Sequence, residues 1–335
     1  MRDEGRARAI AGLVGIVSRG LLLVLAGAFT WLPPAQAQYP SRPVRIIVPT
    51  SVGSGADLSS RVIAQQLSDR FGHQVVVDNR AGATTMIGTE LVAKAPPDGH
   101  TLLMAPPAFV INQSLFRKIP YDPLRDFVPI TYVGNSPLIL VVHPSLPLKS
   151  VKELVALAKA RPGELVFASS GSGSITHMSA ELFLYMTGTR MLHVPYKGPA
   201  PGVIDLVGGR VQLMVTSAPI TLPHIRTGRL RALGVTSAKR TVAAPDIPTI
   251  AEAGVPGYQS EAWYALVAPT GTARDTLTLL HREVVAVLGV KTIKDRLQNE
   301  GLETVASTPD ELSAFLRSEQ AKWAKVIKAA NIQPQ

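Results

Sequence analysis

The stretch Val44-Arg-Ile-Ile-Val-Pro-Thr-Ser-Val-Gly-Ser-Gly-Ala-Asp57 decides the fold. Four of its first five residues are β-branched and apolar, and Pro49 closes the run, the pattern of a buried strand. Beyond the Gly-Ser-Gly segment, Leu58, Val62, Ile63, Leu67 and Phe71 recur at helical spacing. A helix is therefore expected over residues 56–70, stopped by Gly72. Downstream the order repeats: Gln74-Val-Val-Val-Asp78 as strand, 85–94 as helix, Pro96-Pro-Asp-Gly99 as turn, and Thr101-Leu-Leu-Met-Ala105 as a third strand. Strands alternating with helices predict an α/β fold of mostly parallel sheets flanked by helices.

The pattern restarts after Pro144. Ser150-Val-Lys-Glu153 is a capping box opening a helix to residue 160. A strand over 165–169, a helix over 176–186 and a strand over 192–194 follow. Segments 203–207, 211–215, 222–227 and 232–236 keep the alternation. Residues 245–257 are a Pro-rich crossing, 263–267 a strand, and 274–288 and 293–299 helices. Thr308-Pro-Asp-Glu311 is a second capping box, with Pro at the first helical position, opening a closing helix to residue 330. Two α/β units with a long continuation predict two lobes. The chain is expected to cross between them near residues 136–142 and again near 257–263.

The length of 335 residues suits two domains, and 46% hydrophobic residues supply two cores. With no Cys, the chain has no disulfide, thiolate metal site, cysteine nucleophile or lipid anchor on cysteine. Arg2, Arg6, Arg8 and Arg19 precede the apolar run Leu21-Leu-Leu-Val-Leu-Ala-Gly-Ala-Phe29, and Ala35-Gln-Ala37 closes the segment. That is the order of a secretory signal peptide, expected to end at residue 37, and the run is too short to span a bilayer. Its removal takes four Arg and two acidic residues, leaving 30 basic against 22 acidic. A soluble periplasmic product is expected, and export counts against nucleic acid as partner. The basic excess otherwise fits a small anion or a solvated surface.

Two loops carry the chemistry. Val52-Gly-Ser-Gly-Ala-Asp57 and Ser170-Gly-Ser-Gly-Ser-Ile-Thr176 each lie between a strand and a helix, one in each expected lobe. Such a loop aims backbone N–H groups and the positive end of a helix dipole at one point, which suits a carboxylate or phosphate. Glycine also serves there as plain turn punctuation. Leu58 and Thr176 stand where a dinucleotide fingerprint needs its third Gly, and neither a P-loop Lys nor a G-x-S-x-G elbow is present. The seven His form no metal-binding spacing, so neither a metal nor a cofactor is expected. His177, on the first turn after the second loop, either donates to an anion or makes a helix-end hydrogen bond. Asp57 answers the dipole of its own helix.

Several further segments, in order, match one pattern: Tyr39-Pro-Ser-Arg-Pro-Val-Arg-Ile-Ile-Val-Pro49, Asp78-Asn-Arg-Ala-Gly82, Pro97-Asp-Gly-His-Thr-Leu-Leu103, Tyr121-Asp-Pro-Leu-Arg-Asp-Phe127, His193-Val-Pro-Tyr-Lys-Gly-Pro-Ala-Pro201 and Lys322-Trp-Ala-Lys-Val-Ile-Lys328. The chain resembles the Bug-type extracytoplasmic solute receptors of the tripartite tricarboxylate transporter family along essentially all of its mature length. The resemblance implies a type II periplasmic-binding-protein fold with a ligand cleft between its lobes. Lobe 1 would be 38–140 plus 259–335, and lobe 2 would be 141–258. It implies ligand contacts from Thr50, Ser51, Val52, Gly53, Ser54, Gly55, Ala56 and Asp57 on the first loop. Ser169, Ser170, Gly171, Ser172, Gly173, Ser174 and His177 would supply the second. Ala108, Phe109, Thr216, Ser217 and Trp263 would line the remainder.

Two departures bear on the ligand. Ala105-Pro-Pro-Ala-Phe109 replaces a more polar family segment, and Thr216-Ser217 stands where many members carry Asp-Asn. Without that carboxylate an ammonium group loses its partner, so a di- or tricarboxylate or an aromatic acid is expected rather than an amino acid. The implied partners are a small organic anion and the membrane permease subunits of such a transporter, with the receptor a monomer. A sensor presenting its closed form to a signalling partner is the alternative. A secreted α/β enzyme is the other, and for it the sequence shows no nucleophile, metal set or acid–base pair.

Overall fold

The structure, a computed structural model, describes residues 39–332, so the expected signal peptide lies outside the described residues. Among the described residues, 39–41 fall outside the compact unit that begins at Arg42 and is described below.

The opening strand β1 (Val44–Val48) is buried at every position but Arg45, which explains why its other four residues are apolar. It pairs in parallel with β2 (Val75–Asn79) on one side and β3 (Thr101–Ala105) on the other. Helices α1 (Gly55–Phe71) and α2 (Met86–Ala93) follow β1 and β2, and α3 (Ala108–Leu115) follows β3. Gly72 ends α1 in the left-handed conformation at φ 65°, and its N–H donates to the Ser68 carbonyl.

The first sheet continues from β3 to β9 (Glu261–Pro269) and then to β4 (Phe127–Val142), both steps antiparallel. β4 changes partners along its length. Its segment from Phe127 to Pro137 pairs with β9, and Gly134 and Asn135 pair with the short β10 (Glu303–Thr304). From Leu138 to Val142 it pairs instead with β7 (Leu213–Ser217) and β8 (Arg231–Val235). β7 then lies parallel to β5 (Val166–Ser169), and β5 parallel to β6 (Leu192–Pro195). One strand thus carries the chain from the first sheet into the second, and the handover falls between Pro137 and Leu138.

Sequence patterning assigns no strand to residues 127–142 and no helix to 108–115. In β4, Pro129, Gly134 and Pro137 break the alternation, and the ladder absorbs the disruption through register shifts at Pro129/Thr131 and Tyr132/Gly134. In α3, Pro106-Pro107 hides a helix start. Proline has no N–H to satisfy there, and the Phe109 N–H donates to the Pro106 carbonyl at 2.9 Å. The sheets are also more mixed than strict β–α alternation suggests. Parallel pairing is confined to β2-β1-β3 and to β6-β5-β7, because the strands that carry the chain out of and back into the first sheet run antiparallel to their neighbours.

Both crossings are pinned to one buried residue. The Leu138 N–H donates to Thr236 Oγ1, the Thr236 N–H to the Leu138 carbonyl, and the Ser260 N–H to the Thr236 carbonyl, each at 2.9 Å. With the second sheet go α4 (Val151–Ala160), α5 (Ile175–Thr187), α6 (Pro199–Val207) and α7 (Ala218–Arg226); Val203 and Leu206 of α6 and Ala218 of α7 join Ile139, Val141 and Met214 in its core. After β9 come α8 (Arg274–Gly289) and α9 (Lys291–Asn299). The closing helix α10 (Pro309–Ala329) starts at the expected capping box, with the Thr308 N–H donating to Glu311 at 2.9 Å. It packs on α3, β4 and α5, so it touches elements of both sheets. Among the described residues no helix is long and apolar enough to cross a membrane.

Candidate functional site

The two glycine loops sit at the carboxyl ends of parallel strands, β1 in one sheet and β5 in the other, where α/β folds collect ligands. They are the same device built twice. In the first, Ser54 caps α1 by accepting from the Asp57 N–H, and the Gly53 N–H donates to Asp57 Oδ2 at 2.9 Å. In the second, Ser174 caps α5 by accepting from the His177 N–H, and the Gly173 N–H donates to His177 Nδ1 at 3.2 Å. Gly53 and Gly173 have φ of 80° and 76°, which favours glycine. The structural counterpart of Gly53-Ser54 is therefore Gly173-Ser174, two residues beyond the Gly171-Ser172 pair that the repeated letters suggest.

Each device leaves first-turn donors for a ligand. Among the described residues, the N–H groups of Gly55 and Ala56 in α1 and of Ser172, Ile175 and Thr176 beside α5 have no protein acceptor. The N–H groups of Gly53 and Gly173 are committed to their own loops. Hydroxyls brace the frame. Thr50 Oγ1 meets Ser54 Oγ at 2.7 Å, Ser170 Oγ meets Thr176 Oγ1 at 2.7 Å, and Ser169 Oγ accepts from the Gly171 N–H at 3.1 Å. Burial works against the Asp57 charge, but hydrogen bonds from Arg61 and the Gly53 N–H outweigh it and hold the carboxyl below its ordinary range.

The sequence reading omits a third loop, residues 80–85 after β2. Ala83, Thr84 and Thr85 all have positive φ, at 45°, 50° and 74°. Each costs about 1 kcal/mol or more for a residue with a Cβ, and such strain clusters at ligand sites. Close approach links this turn to the second glycine loop and links α2, which follows it, to Pro49 just ahead of the first. A Cβ on Gly88 of α2 would lie 2.9 Å from Pro49 Cβ, and one on Gly173 would lie 3.5 Å from Thr84 Cγ2 and run into Leu115. A Cβ on Gly55 would collide with the Tyr264 hydroxyl on β9. Burial pushes that phenol up to about 12, so it stays neutral, bonded to Ser136. The sequence signal for the turn is Gly82-Ala-Thr-Thr85 between a strand and a helix. Tyr264 carries no local signal, because only tertiary packing brings it beneath Gly55.

Other expected contacts take different places. Phe109 is fully buried against Tyr121 and Phe127, with ring centroids 5.9 and 5.0 Å away, and is a core residue. Trp263 is likewise buried and donates its indole N–H to Glu319 at 3.0 Å. It lines a cavity of about 490 Å³ with Tyr132, Phe315 and Lys322, between the second crossing and α10 and away from the glycine loops. Both rings fill the core, where large aromatic side chains on central elements gain most. Ala108 is buried at the start of α3. Thr216 is buried with no partner for its hydroxyl, and Ser217 precedes α7 as a cap without a side-chain bond. Ser51 accepts the Ser54 N–H at its carbonyl, and Val52 is exposed.

The chain as a whole is similar to proteins of known family. The family model described as tripartite tricarboxylate transporter family receptor matches residues 59–332. Protein BugT of Bordetella pertussis is 40% identical over 311 residues, 92% of this chain and 95% of BugT. Among solved structures, R. palustris Rpa4515 with adipate is 40% identical with a TM-score of 0.80, covering 89% of this chain and all of that one. MatC from Rhodopseudomonas palustris with bound malate is 29% identical with a TM-score of 0.76, covering 86% of this chain and all of that one.

Proposed function

Because the chain belongs to the tripartite tricarboxylate transporter receptor family, we propose that it is a periplasmic solute-binding protein that captures a small organic carboxylate and presents it to membrane permease subunits. The carboxylate lies between loop 50–57 and loop 169–177. The free N–H groups of Gly55, Ala56, Ser172, Ile175 and Thr176 hold it, and the neighbouring hydroxyls assist. The doubled Gly-Ser cap, one on each sheet, is the observation that carries this reading, because each leaves helix-start N–H groups without a protein acceptor and two such starts suit one anion held from both sides. Relatives solved with adipate and malate support a di- or tricarboxylate as the ligand class.

Two lobes, 38–140 plus 259–335 and 141–258, close on the ligand about the crossings at Leu138 and Ser260. No bond is made or broken. About 8 kcal/mol, the binding free energy of a micromolar ligand, drives closure and selection. The receptor reaches the periplasm through a signal peptide ending at residue 37 and works as a monomer. Mass spectrometry of the compound released on denaturing purified protein, followed by calorimetry with it, tests the proposal. A released organic acid that rebinds supports it. Turnover of that acid, or absence of binding by any di- or tricarboxylate, refutes it.

A further inference from the structure

The two caps differ in the group that secures the loop glycine, and the difference has a chemical consequence. Resting on the carboxylate-receptor reading, we propose that a stacked pair of neutral imidazoles, His177 and His193, holds the second glycine loop in its anion-binding conformation and releases it when His177 gains a proton.

In the first loop the acceptor for Gly53 is a carboxylate, which accepts and never donates while it is ionised. Arg61 donates to it at 3.1 Å and keeps it so. In the second loop the acceptor for Gly173 is His177 Nδ1. A ring nitrogen accepts only while it carries no proton. The neutral ring then bears its proton on Nε2, which faces Glu181 Oε1 at 3.4 Å. His193 stacks on His177 with centroids 4.0 Å apart and planes 15° apart, and Phe167 lies beside both rings, 4.8 Å from His193 and 6.2 Å from His177. His193 Nε2 lies 2.6 Å from Ser169 Oγ, the hydroxyl that accepts from the Gly171 N–H. One imidazole thus secures Gly173 directly, and the other secures Gly171 through Ser169.

The groups around the pair decide where a proton goes. Glu181 on α5 is the carboxylate that faces His177. β5 contributes only the Ser169 hydroxyl and the Phe167 ring, and β6 contributes His193 itself. Two imidazolium rings at stacking distance repel strongly, so at most one ring is charged. Burial and the neighbouring His177 keep His193 uncharged down to about pH 3. The proton therefore enters at His177, beside Glu181. With a proton on Nδ1, the Gly173 N–H faces a donor and loses its acceptor. The loop must turn, and it carries Ser172 and Ser174 with it. His177 and His193 are positioning residues, and they need no contact with the ligand.

Nitrogen-15 NMR of the full mature chain and calorimetry with adipate as probe test the proposal together. As pH is lowered until His177 takes up a proton, the Gly173 amide should shift in step with the ring, while the Gly53 amide stays still. Over the same range the adipate Kd should rise at least about fivefold. In His177→Asn the amide oxygen can accept from Gly173 but does not titrate, so the ratio of the two Kd values should fall toward that of the probe's own titration. Tighter binding at the lower pH overturns the proposal, and so does an unchanged ratio in His177→Asn. If wild-type protein binds no carboxylate, the receptor reading falls and the NMR arm still decides the stack: a Gly173 amide indifferent to His177 overturns it.

Discussion

At Gly173 two penalties coincide, since φ is 76° and an added Cβ would run into Leu115. At Gly53 φ is 80° but nothing lies within 4 Å of such a Cβ. Gly53→Ala should therefore cost only backbone strain, about 1 kcal/mol, or several-fold in ligand affinity. Gly173→Ala should also displace the loop from α3 and weaken binding by more than about tenfold, a cost above about 1.4 kcal/mol. Calorimetry on both variants, with circular dichroism to confirm folding, checks the order. His193 supplies a prediction in pH. Its folded form stays neutral down to about pH 3, whereas the unfolded chain takes up a proton near pH 6.5, about the usual value. The unfolded state thus binds more protons between those limits, and stability falls as pH drops through that window. Urea titrations of wild type and His193→Gln should show a smaller acid loss in the variant. At this scale the sequence named both serines and both loop glycines as ligand contacts, but neither the serines' role as helix caps nor the register relating the two devices. Letters repeat as Gly-Ser-Gly, whereas hydrogen bonds equate Gly53 with Gly173.

Among the elements, α10 is tied to β9 by a buried carboxylate as well as by its apolar face. Buried Glu319 accepts from the Trp263 indole at 3.0 Å and from the Trp323 indole at 2.9 Å, and it pairs with Lys322. Glu319→Leu would leave two buried indole N–H groups unpaired, each costing about 1–3 kcal/mol. A loss of at least about 2 kcal/mol in urea denaturation is expected, accompanied by a change in tryptophan fluorescence. Strongly periodic elements such as α1, α5 and α10 could be read from the sequence within a residue or two, because their caps are local chemistry. β4 and α3 could not. Their prolines break the pattern, and long-range pairing and packing override that local signal.

For the whole molecule, the handover in β4 and the Thr236 bonds to Leu138 and Ser260 place both crossings side by side. A pair of adjacent, hydrogen-bonded strands bends together, which suits closure as one hinge. Small-angle scattering should show the radius of gyration falling when the ligand released by the purified protein is added back. An unchanged profile at saturating ligand would rule out closure in solution.

The sequence by itself determined the α/β class, the paired glycine loops and the capping boxes that open α4 and α10. Each depends on residues within a few positions of one another, through periodicity, the freedom of glycine and side chains that reach the adjacent turn. Tertiary structure alone decided which groups share a space. The Thr84 turn meets Gly173, Tyr264 lies beneath Gly55, Phe109 and Trp263 turn into the core, and His193 stacks on His177. Those contacts join residues far apart in the chain, and packing that excludes water from both sheets at once selects them.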